Sequence, residues 1–403
     1  MPILTILLSL AALFSFACGG PVPDEVPLPR DCRDCVVGAV RFEGYHPIPW
    51  LGDLWPATRL EDGTLLLAFG DGSGMARCLP VEGLDWPREG PGERLTVFEA
   101  YGEAQADFCG VFPCGETDRY PLCPYTRAGL VELHGPPDAP RPCPGPDQCL
   151  VSRDLPRGVP GEDVKPSSLL AVGDVIYLHL HTPSARPELG YLALSRDRGR
   201  HWQVVSGSPW GEESRFRTLM FLQMGYGYRL NDDGQVYAYG VRNEIDMEHM
   251  HLQAVFLARV PKEKVADYGA YRYYAGADAA GAPRWVEREE DAVPLEGLAT
   301  LIQGSAMYHP GLRRYLFFTG FLDFRPAREL GIHDRSGPVE AGALFESPTP
   351  WGPWARVGGF PGGYIGALIP QEDGSAAVRF TAAGGTVSYN LNIGTLQLET
   401  GSP

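Results

Sequence analysis

Five times along the chain a glycine-bearing turn runs straight into an apolar strand rich in β-branched or aromatic residues, and no other feature limits the fold so sharply. Glu61-Asp62-Gly63 precedes TLLLAFG, Val172-Gly173-Asp174 precedes VIYLHLH, and Asp232-Asp233-Gly234 precedes QVYAYGV. His309-Pro310-Gly311 precedes LRRYLFFTG, and Glu372-Asp373-Gly374 precedes SAAVRFTA. Each copy has the turn chemistry of a β-hairpin. An outer strand, a loop and often a tryptophan then follow, as in YLALSRDRGRHW from Tyr191, VFLARVPKEKV from Val255 with Trp285 further on, and ALFESPTPWGPW from Ala343. One such unit cannot bury both faces of its sheet alone, whereas units stacked around an axis can. The expectation is an all-β chain, a five-bladed β-propeller over residues 36–400. Strands near 36–42 and 386–398 would close the ring. A single β-sandwich is the alternative, but it has no need of five similar hairpins. Gly (50) and Pro (38) exceed a fifth of the 403 residues, which disfavours a helical bundle.

The first repeat interval is the longest because it holds a Cys/Pro-rich stretch at 77–160, read as a disulfide-rich insertion in or after the first blade. Eight cysteines fall before residue 150: Cys32, Cys35, Cys78, Cys109, Cys114, Cys123, Cys143 and Cys149. A ninth, Cys18, follows an apolar run at 3–16 that suits the h-region of an export signal better than a membrane span. The segment Ser15-Phe16-Ala17-Cys18-Gly19 resembles a lipoprotein cleavage site, so 1–18 reads as a signal with Cys18 lipidated. An ordinary signal peptide is the competing reading. Residues 19–35 form a Pro-rich tether. An even, clustered set of cysteines in an exported chain reads as disulfides, with no pairing assigned. Zinc at Cys32-x-x-Cys35 is the weaker alternative. The protein is expected at the cell envelope, lipid-anchored, or secreted.

The formal charge of −16 argues against a nucleic-acid partner, which needs a basic footprint. It argues equally against an anionic membrane surface, leaving a lipid anchor as the membrane contact. A monomer is expected. No cofactor and no metal are expected. Ca²⁺ has no specific motif, and His249 with His251 reads as part of a solvated loop. Phosphate-loop, Rossmann and Ser-His-Asp signatures are absent from the sequence.

Ser195, Asp197, Gly199 and Trp202 fit the Asp-box pattern S-x-D-x-G-x-x-W, a structural device of propeller hairpins. Chemistry is sought instead at Trp50-Leu51-Gly52-Asp53-Leu54-Trp55, placed on the innermost strand of the first blade. An aspartate between two tryptophans is costly unless paired or used. Eighteen residues on, Asp71 ends the next strand, and in an antiparallel hairpin the two ends meet. Paired carboxylates suit glycoside hydrolysis: one protonates the leaving oxygen, the other activates water or attacks the sugar. Capping and turn roles are the bland readings of Asp53 and Asp71. Trp50 and Trp55 would stack on sugar rings. Lys165, His181, Arg242, Asn243 and Glu244 would line the same face as substrate-binding residues, with a surface ion pair as the plain alternative at Arg242 and Glu244.

The order GDLWPATRLEDGTLLLAFGDG, VKPSSLLAVGDVIYLHLH, LALSRDRGRHW, VYAYGVRN, MYHPGLRRYLFF and PWGPW resembles a bacterial propeller family. Formerly a domain of unknown function, it includes endo-D-arabinanases that cut mycobacterial arabinan. The resemblance covers about residues 40–398 outside the insertion. It implies an acid/base pair at Asp53 and Asp71, an inverting course, and a furanose-containing or related polysaccharide as substrate. The insertion is a departure beside the first blade. The alternative function is a non-catalytic surface propeller that binds glycan or protein. A sialidase is weaker still, since one full Asp-box is present.

Overall fold

The computed structural model describes residues 35–72, 126–133, 135, 150–152, 155–156, 158, 164–183, 187–243, 252–320, 342–361, 365–383 and 390–401. Among them helix is confined to short 3₁₀ turns and the remaining regular structure is strand. No helix of the described residues is long and apolar enough to cross a membrane.

Strand order in space follows strand order in the chain. The first sheet runs Ala57–Arg59, Leu65–Gly72, Thr126–Leu133, Leu150–Ser152, and the second Lys165–Val172, Val175–His181, Gly190–Ser195, Gln203–Val204. The third runs Thr218–Gln223, Gln235–Val241, Phe256–Pro261, Arg272–Ala277, Pro283–Val286, and the fourth Gly304–His309, Arg314–Thr319, Gly342–Ser347, Ala355–Phe360. Within each, neighbours are antiparallel. The third and fourth join through parallel pairing of their first strands, Leu222 with Ala306 and Gln223 with Met307. In the last sheet Ala377–Ala383 pairs with Asn390–Thr400, which pairs with the N-terminal strand Val37–Leu51. Its register runs from Val37 opposite Thr400 to Leu51 opposite Asn390. The two arms of the chain therefore close on one another over a longer pairing than 36–42 with 386–398.

Side-chain alternation explains the stacking. Leu65, Leu67 and Phe69 turn one way, into a core shared with Ile48, Leu391 and Ile393 of the last sheet. Leu66 and Ala68 turn the other way, onto Leu169, Ala171, Ile176 and Leu178 of the second. Likewise Phe317 and Phe345 of the fourth sheet pack toward the third, while Leu316, Phe318 and Leu344 meet Phe380 and Leu396 of the last. Both faces of each sheet are thus apolar, which is why these strands read as continuous hydrophobic runs. Each fully buried Leu or Phe contributes about 1.5–3 kcal/mol of transfer free energy.

The first strands of the sheets meet one another through polar groups. Thr58 Oγ1 donates to Gln223 Oε1 (2.9 Å) and accepts from the Ala171 amide (3.0 Å), and Gln223 Nε2 donates to the Leu169 carbonyl (2.7 Å). Ser305 Oγ accepts from the Leu368 amide at 3.1 Å. The hairpin turns all lie at one end of this bundle, where the 3₁₀ turn Tyr226–Tyr228 packs. Its Gly227 carbonyl accepts from the Gly173 amide, Glu372 holds the Tyr226 amide, and the Arg59 and Arg229 guanidinium groups each lie 5.3 Å from the Tyr226 ring. One segment of the third sheet thereby touches the first, second and last at the turn end.

Two expectations need correction. Trp50 is not on the inner strand of the first sheet; it ends the N-terminal strand Val37–Leu51, because that whole segment is the partner of the C-terminal strand. Gly63, Gly173, Gly234 and Gly374 adopt positive φ as hairpin turns require, but in the fourth copy Arg313 does so (φ 53°). Gly311 is needed for another reason: a Cβ there would lie 2.4 Å from the Gly374 carbonyl.

Candidate active site

At the end opposite the turns, Asp53 is tied to the first sheet by its backbone. Its amide donates to the Gly70 carbonyl (2.9 Å) and its carbonyl accepts from the Gly70 amide (3.0 Å). The pairing then slips by one residue, since Ala57 stands opposite Leu67. The slip is made by unusual backbone: Gly52 at φ 144°, Leu54 at 71° and Trp55 at 48°. Two successive non-glycine residues at positive φ cost of order 1–3 kcal/mol each and persist only where the surroundings fix them. The Trp55 amide bonds the Asp53 carbonyl, its indole N–H donates to the Gly52 carbonyl (3.0 Å), and its carbonyl accepts from Thr381 Oγ1 (2.7 Å).

Asp53 is 4% exposed. Its Oδ1 would lie 2.7 Å from a Cβ built on Gly70, and Lys165 Cδ would lie 3.5 Å from the same point. The absence of a side chain at Gly70 therefore opens the space in which this carboxylate and the Lys165 side chain approach. Lys165 is buried at the head of the second sheet, in register with His181, also buried. Below them Ser167 Oγ donates to the Leu219 carbonyl (3.0 Å), so its 2.6 Å contact with His179 Nδ1 is an imidazole N–H donating to oxygen. Burial, and secondarily His181, hold the His179 pKa well below the usual value, so the ring is neutral.

The other proposed site residues are placed as follows. Asp71 belongs to the strand Leu65–Gly72, one residue beyond the partner of Asp53; its side chain lies outside the described residues. Glu244, Cys18, Cys32, Cys78, Cys109, Cys114, Cys123, Cys143 and Cys149 also lie outside them, as do His249 and His251. Cys35 is described and is disulfide-bonded. Trp50 and Trp55 are core residues. Trp55 is fully buried and packs on Phe69, with ring centroids 5.5 Å apart. A ring with no exposed face cannot stack on an incoming sugar, so Trp55 holds the Asp53 turn instead. Arg242 is exposed and pairs with Glu213, the plain alternative stated for it. Asn243 accepts a hydrogen bond from Arg217.

Arg217 is the residue that sequence reasoning missed. Its buried guanidinium binds Glu188 (2.7 Å), the Glu212 carbonyl (2.8 Å) and Asn243. Asn243 in turn exchanges backbone bonds with Gln253, whose Nε2 also reaches the Leu301 carbonyl. This chain of polar contacts links the loops of the second, third and fourth sheets at the Asp53 end. Among the described residues no cluster of His, Cys, Asp and Glu is arranged to hold a metal ion.

At Ser195–Trp202 the turn is closed by its own side chains. Ser195 Oγ donates to Asp197 Oδ1 (2.8 Å) and accepts from the Gly199 amide (2.9 Å), and Asp197 accepts from the His201 amide and ring. These bonds depress the Asp197 pKa. Their function is to hold a hairpin.

Residues 151–383 match the family described as Domain of unknown function (DUF4185), and the chain belongs to that family. No curated protein matches it. Among solved structures the chain is similar to the catalytic domain of a GH62 α-L-arabinofuranosidase from Coprinopsis cinerea, with 8% identity, 89% of this chain and 98% of that one covered, and a TM-score of 0.42. It is also similar to an α-L-arabinanase from Penicillium chrysogenum complexed with arabinobiose, with 14% identity, 90% and 98% coverage, and a TM-score of 0.39. A third likeness is to a glycosyl hydrolase from Bacteroides ovatus, with 10% identity, 93% and 95% coverage, and a TM-score of 0.38.

Proposed function

We propose that the chain is an exported glycoside hydrolase built as a five-bladed propeller, and that Asp53 and Asp71 are its acid/base pair. The observation that carries this reading is the setting of Asp53. It is a buried carboxylate on strained backbone, hydrogen-bonded through its main chain to the neighbour of a second aspartate, at the end of the sheets opposite the Tyr226–Tyr228 turn. Strain and a buried charge together are expensive, and such outliers concentrate where function requires them. The polysaccharide class rests on the resemblance of the motif order to endo-D-arabinanases, and we take a furanose-containing glycan as substrate. In the inverting course one carboxyl gives its proton to the departing oxygen. The other takes a proton from the attacking water, so their separation would be roughly 6.5–9.5 Å. Lys165, His181 and Asn243 line the approach. The eight cysteines brace the tether and insertion, and Cys18 anchors the chain by lipid.

The test is the release of reducing ends from arabinan and other cell-wall glycans by the full chain. Asp53→Asn and Asp71→Asn should each lower the rate by at least about 10²-fold, the contribution typical of a positioned acid or base. Full activity in either variant on a glycan that the parent cleaves would sink the assignment.

A further inference from the structure

Arg217 is a cation buried in the rim of the site. It is 7% exposed and lies at the Asp53 end: Lys165 stands opposite His181, His181 opposite Gly190, and a Cβ on Gly190 would come within 2.4 Å of the Arg217 carbonyl oxygen. Its one guanidinium binds three separate segments. These are Glu188 ahead of the strand Gly190–Ser195 (2.7 Å), the Glu212 carbonyl on the link to the third sheet (2.8 Å), and Asn243 Oδ1 just past the strand Gln235–Val241. An ion pair taken out of water adds little stability, because desolvation of both groups offsets most of their attraction. What the guanidinium supplies is geometry, since its N–H groups leave in fixed directions within one plane.

Asn243 receives that geometry. Val241 stands opposite Thr218 in the third sheet, so Asn243 comes two residues further on, beside Arg217. One glutamine holds its main chain on both sides: the Asn243 amide donates to Gln253 Oε1 (3.0 Å), and the Asn243 carbonyl accepts from Gln253 Nε2 (3.1 Å). Gln253 is itself paired with Thr300, ahead of the fourth sheet. With the backbone fixed, Arg217 decides which way round the side-chain amide lies. Arginine only donates, so the atom facing it must be the oxygen. The other end of the amide is then Nδ2, with two N–H groups. Among the described residues Nδ2 donates to none, and Asn243 is partly exposed.

We propose that Arg217 is a positioning residue of the substrate cleft, which sets the Asn243 amide with Nδ2 toward the glycan, so that this point of the rim offers hydrogen-bond donors and no acceptor. The sugar atom selected there is an oxygen with a lone pair to share: a hydroxyl, a ring oxygen or a glycosidic oxygen. The choice of ligand rests on the hydrolase reading, which the proposal deepens. Arg217 does not itself touch the sugar, because its N–H groups are taken up by Glu188, Glu212 and Asn243. It acts through Asn243, at a distance from the bond being broken. The contact is therefore made in the ground state and the transition state alike, and its loss falls on KM more than on kcat.

The experiment combines kinetics on arabinan with side-chain amide NMR of the full ¹⁵N-labelled chain, the Asn243 signals being identified by their loss in Asn243→Asp. That variant keeps an oxygen for Arg217, now charged, but presents an acceptor where Asn243 presents donors. It should hold the parent's denaturation midpoint or exceed it, and raise KM by at least about 3-fold, the worth of one neutral hydrogen bond, with kcat changed less. Arg217→Lys keeps a cation opposite Glu188, so the buried carboxylate is not left alone, but it loses the planar fork. It should fold, turn the ordered Asn243 amide signals of the parent into those of a mobile side chain, and raise KM as Asn243→Asp does. A purely structural arginine would lower the midpoint and leave KM in place. Parent KM in Asn243→Asp, or an Asn243 amide equally ordered in Arg217→Lys, overturns the proposal. The two readings fail separately: amide order that depends on Arg217, in a chain that neither cleaves nor binds arabinan, removes the hydrolase assignment and leaves the positioning of Asn243 standing.

Discussion

A single missing methyl group organises the candidate site. A Cβ at Gly70 would fall 2.7 Å from Asp53 Oδ1, closer than real Cβ contacts come, and 3.0 Å from Leu54 Cδ1, which is tight. Both contacts are side-chain ends, and both residues are buried, so neither has solvent to swing into. Gly70→Ala should therefore destabilise the fold by about 1–3 kcal/mol, the usual cost of overpacking. It should also abolish whatever chemistry Asp53 performs, while far-ultraviolet circular dichroism stays that of the parent. A Gly70→Ala variant with the parent's denaturation midpoint would mean that Asp53 does not lie against this face. The aspartate was visible in the sequence because a charge between two tryptophans conflicts with its apolar setting. Trp55 misled for the same reason: an aromatic ring beside a carboxylate suits sugar stacking equally well, and pattern alone does not distinguish an exposed ring from one sealed against Phe69. Arg217 gave no signal at all. Its partners Glu188 and Asn243 lie in other loops and are brought to it by the stacking of sheets, which no local period encodes.

At the scale of the elements, closure hangs on a device that the turn–strand repeat does not reveal. Glu346, in the fourth-sheet strand Gly342–Ser347, is 2% exposed. It accepts hydrogen bonds from the Val36 and Val37 amides (2.9 Å each) and from Arg314 Nε (3.0 Å). It thus clamps the first residues of the N-terminal strand to the sheet next door, at the end where that strand begins its pairing with Asn390–Thr400. Glu346→Ala would leave a partly buried guanidinium and two amides without their acceptor, and should cost about 1–3 kcal/mol in chemical denaturation. Glu346→Gln keeps one oxygen acceptor and should cost less than the alanine variant. Equal midpoints for parent and Glu346→Ala would show that the clamp carries no stability. The strands themselves were readable because each is buried on both faces and so appears as an unbroken apolar run beside a turn. Their closure was readable only in outline. The segment from Tyr45 to Leu51 looks like the start of a new hairpin, and its assignment to the closing strand depends on a partner more than 300 residues away.

For the whole molecule, the buried titratable groups limit the pH range over which the stack of sheets is stable. Tyr228, Tyr239 and Tyr271 are buried phenols whose pKa is pushed well above 10 by desolvation. They stabilise the fold below pH 10, and that contribution is lost as pH rises beyond it. On the acid side the first groups are two histidines. His179 and His309 are held below the ordinary 6.5, chiefly by burial. An unfolded chain binds their protons before the folded one does, so their contribution is complete above pH 6.5 and is lost as pH falls toward the folded values. Asp62 and Asp197, depressed by hydrogen bonds in exposed turns, add to the loss only below about pH 4. Glu289, raised by burial, works in the opposite sense just above pH 4.5. Stability should therefore be level from pH 8 to 7 and then decline, each histidine contributing a slope of up to about 1.4 kcal/mol per pH unit. One of the two has a replacement that keeps its turn bond. His309 Nδ1 accepts from the amide three residues on, that of Leu312, and Asn231 Oδ1 does the same for Gly234 in the corresponding turn of the third sheet. His309→Asn should keep the turn, cost about 1–3 kcal/mol at pH 7.5 for the lost ring bond to the Ser375 carbonyl, and reduce the acid slope between pH 6.5 and 5 by up to about one proton's worth. A slope that survives this substitution unchanged, measured by denaturant midpoints across the range, would mean that the proton is taken up elsewhere.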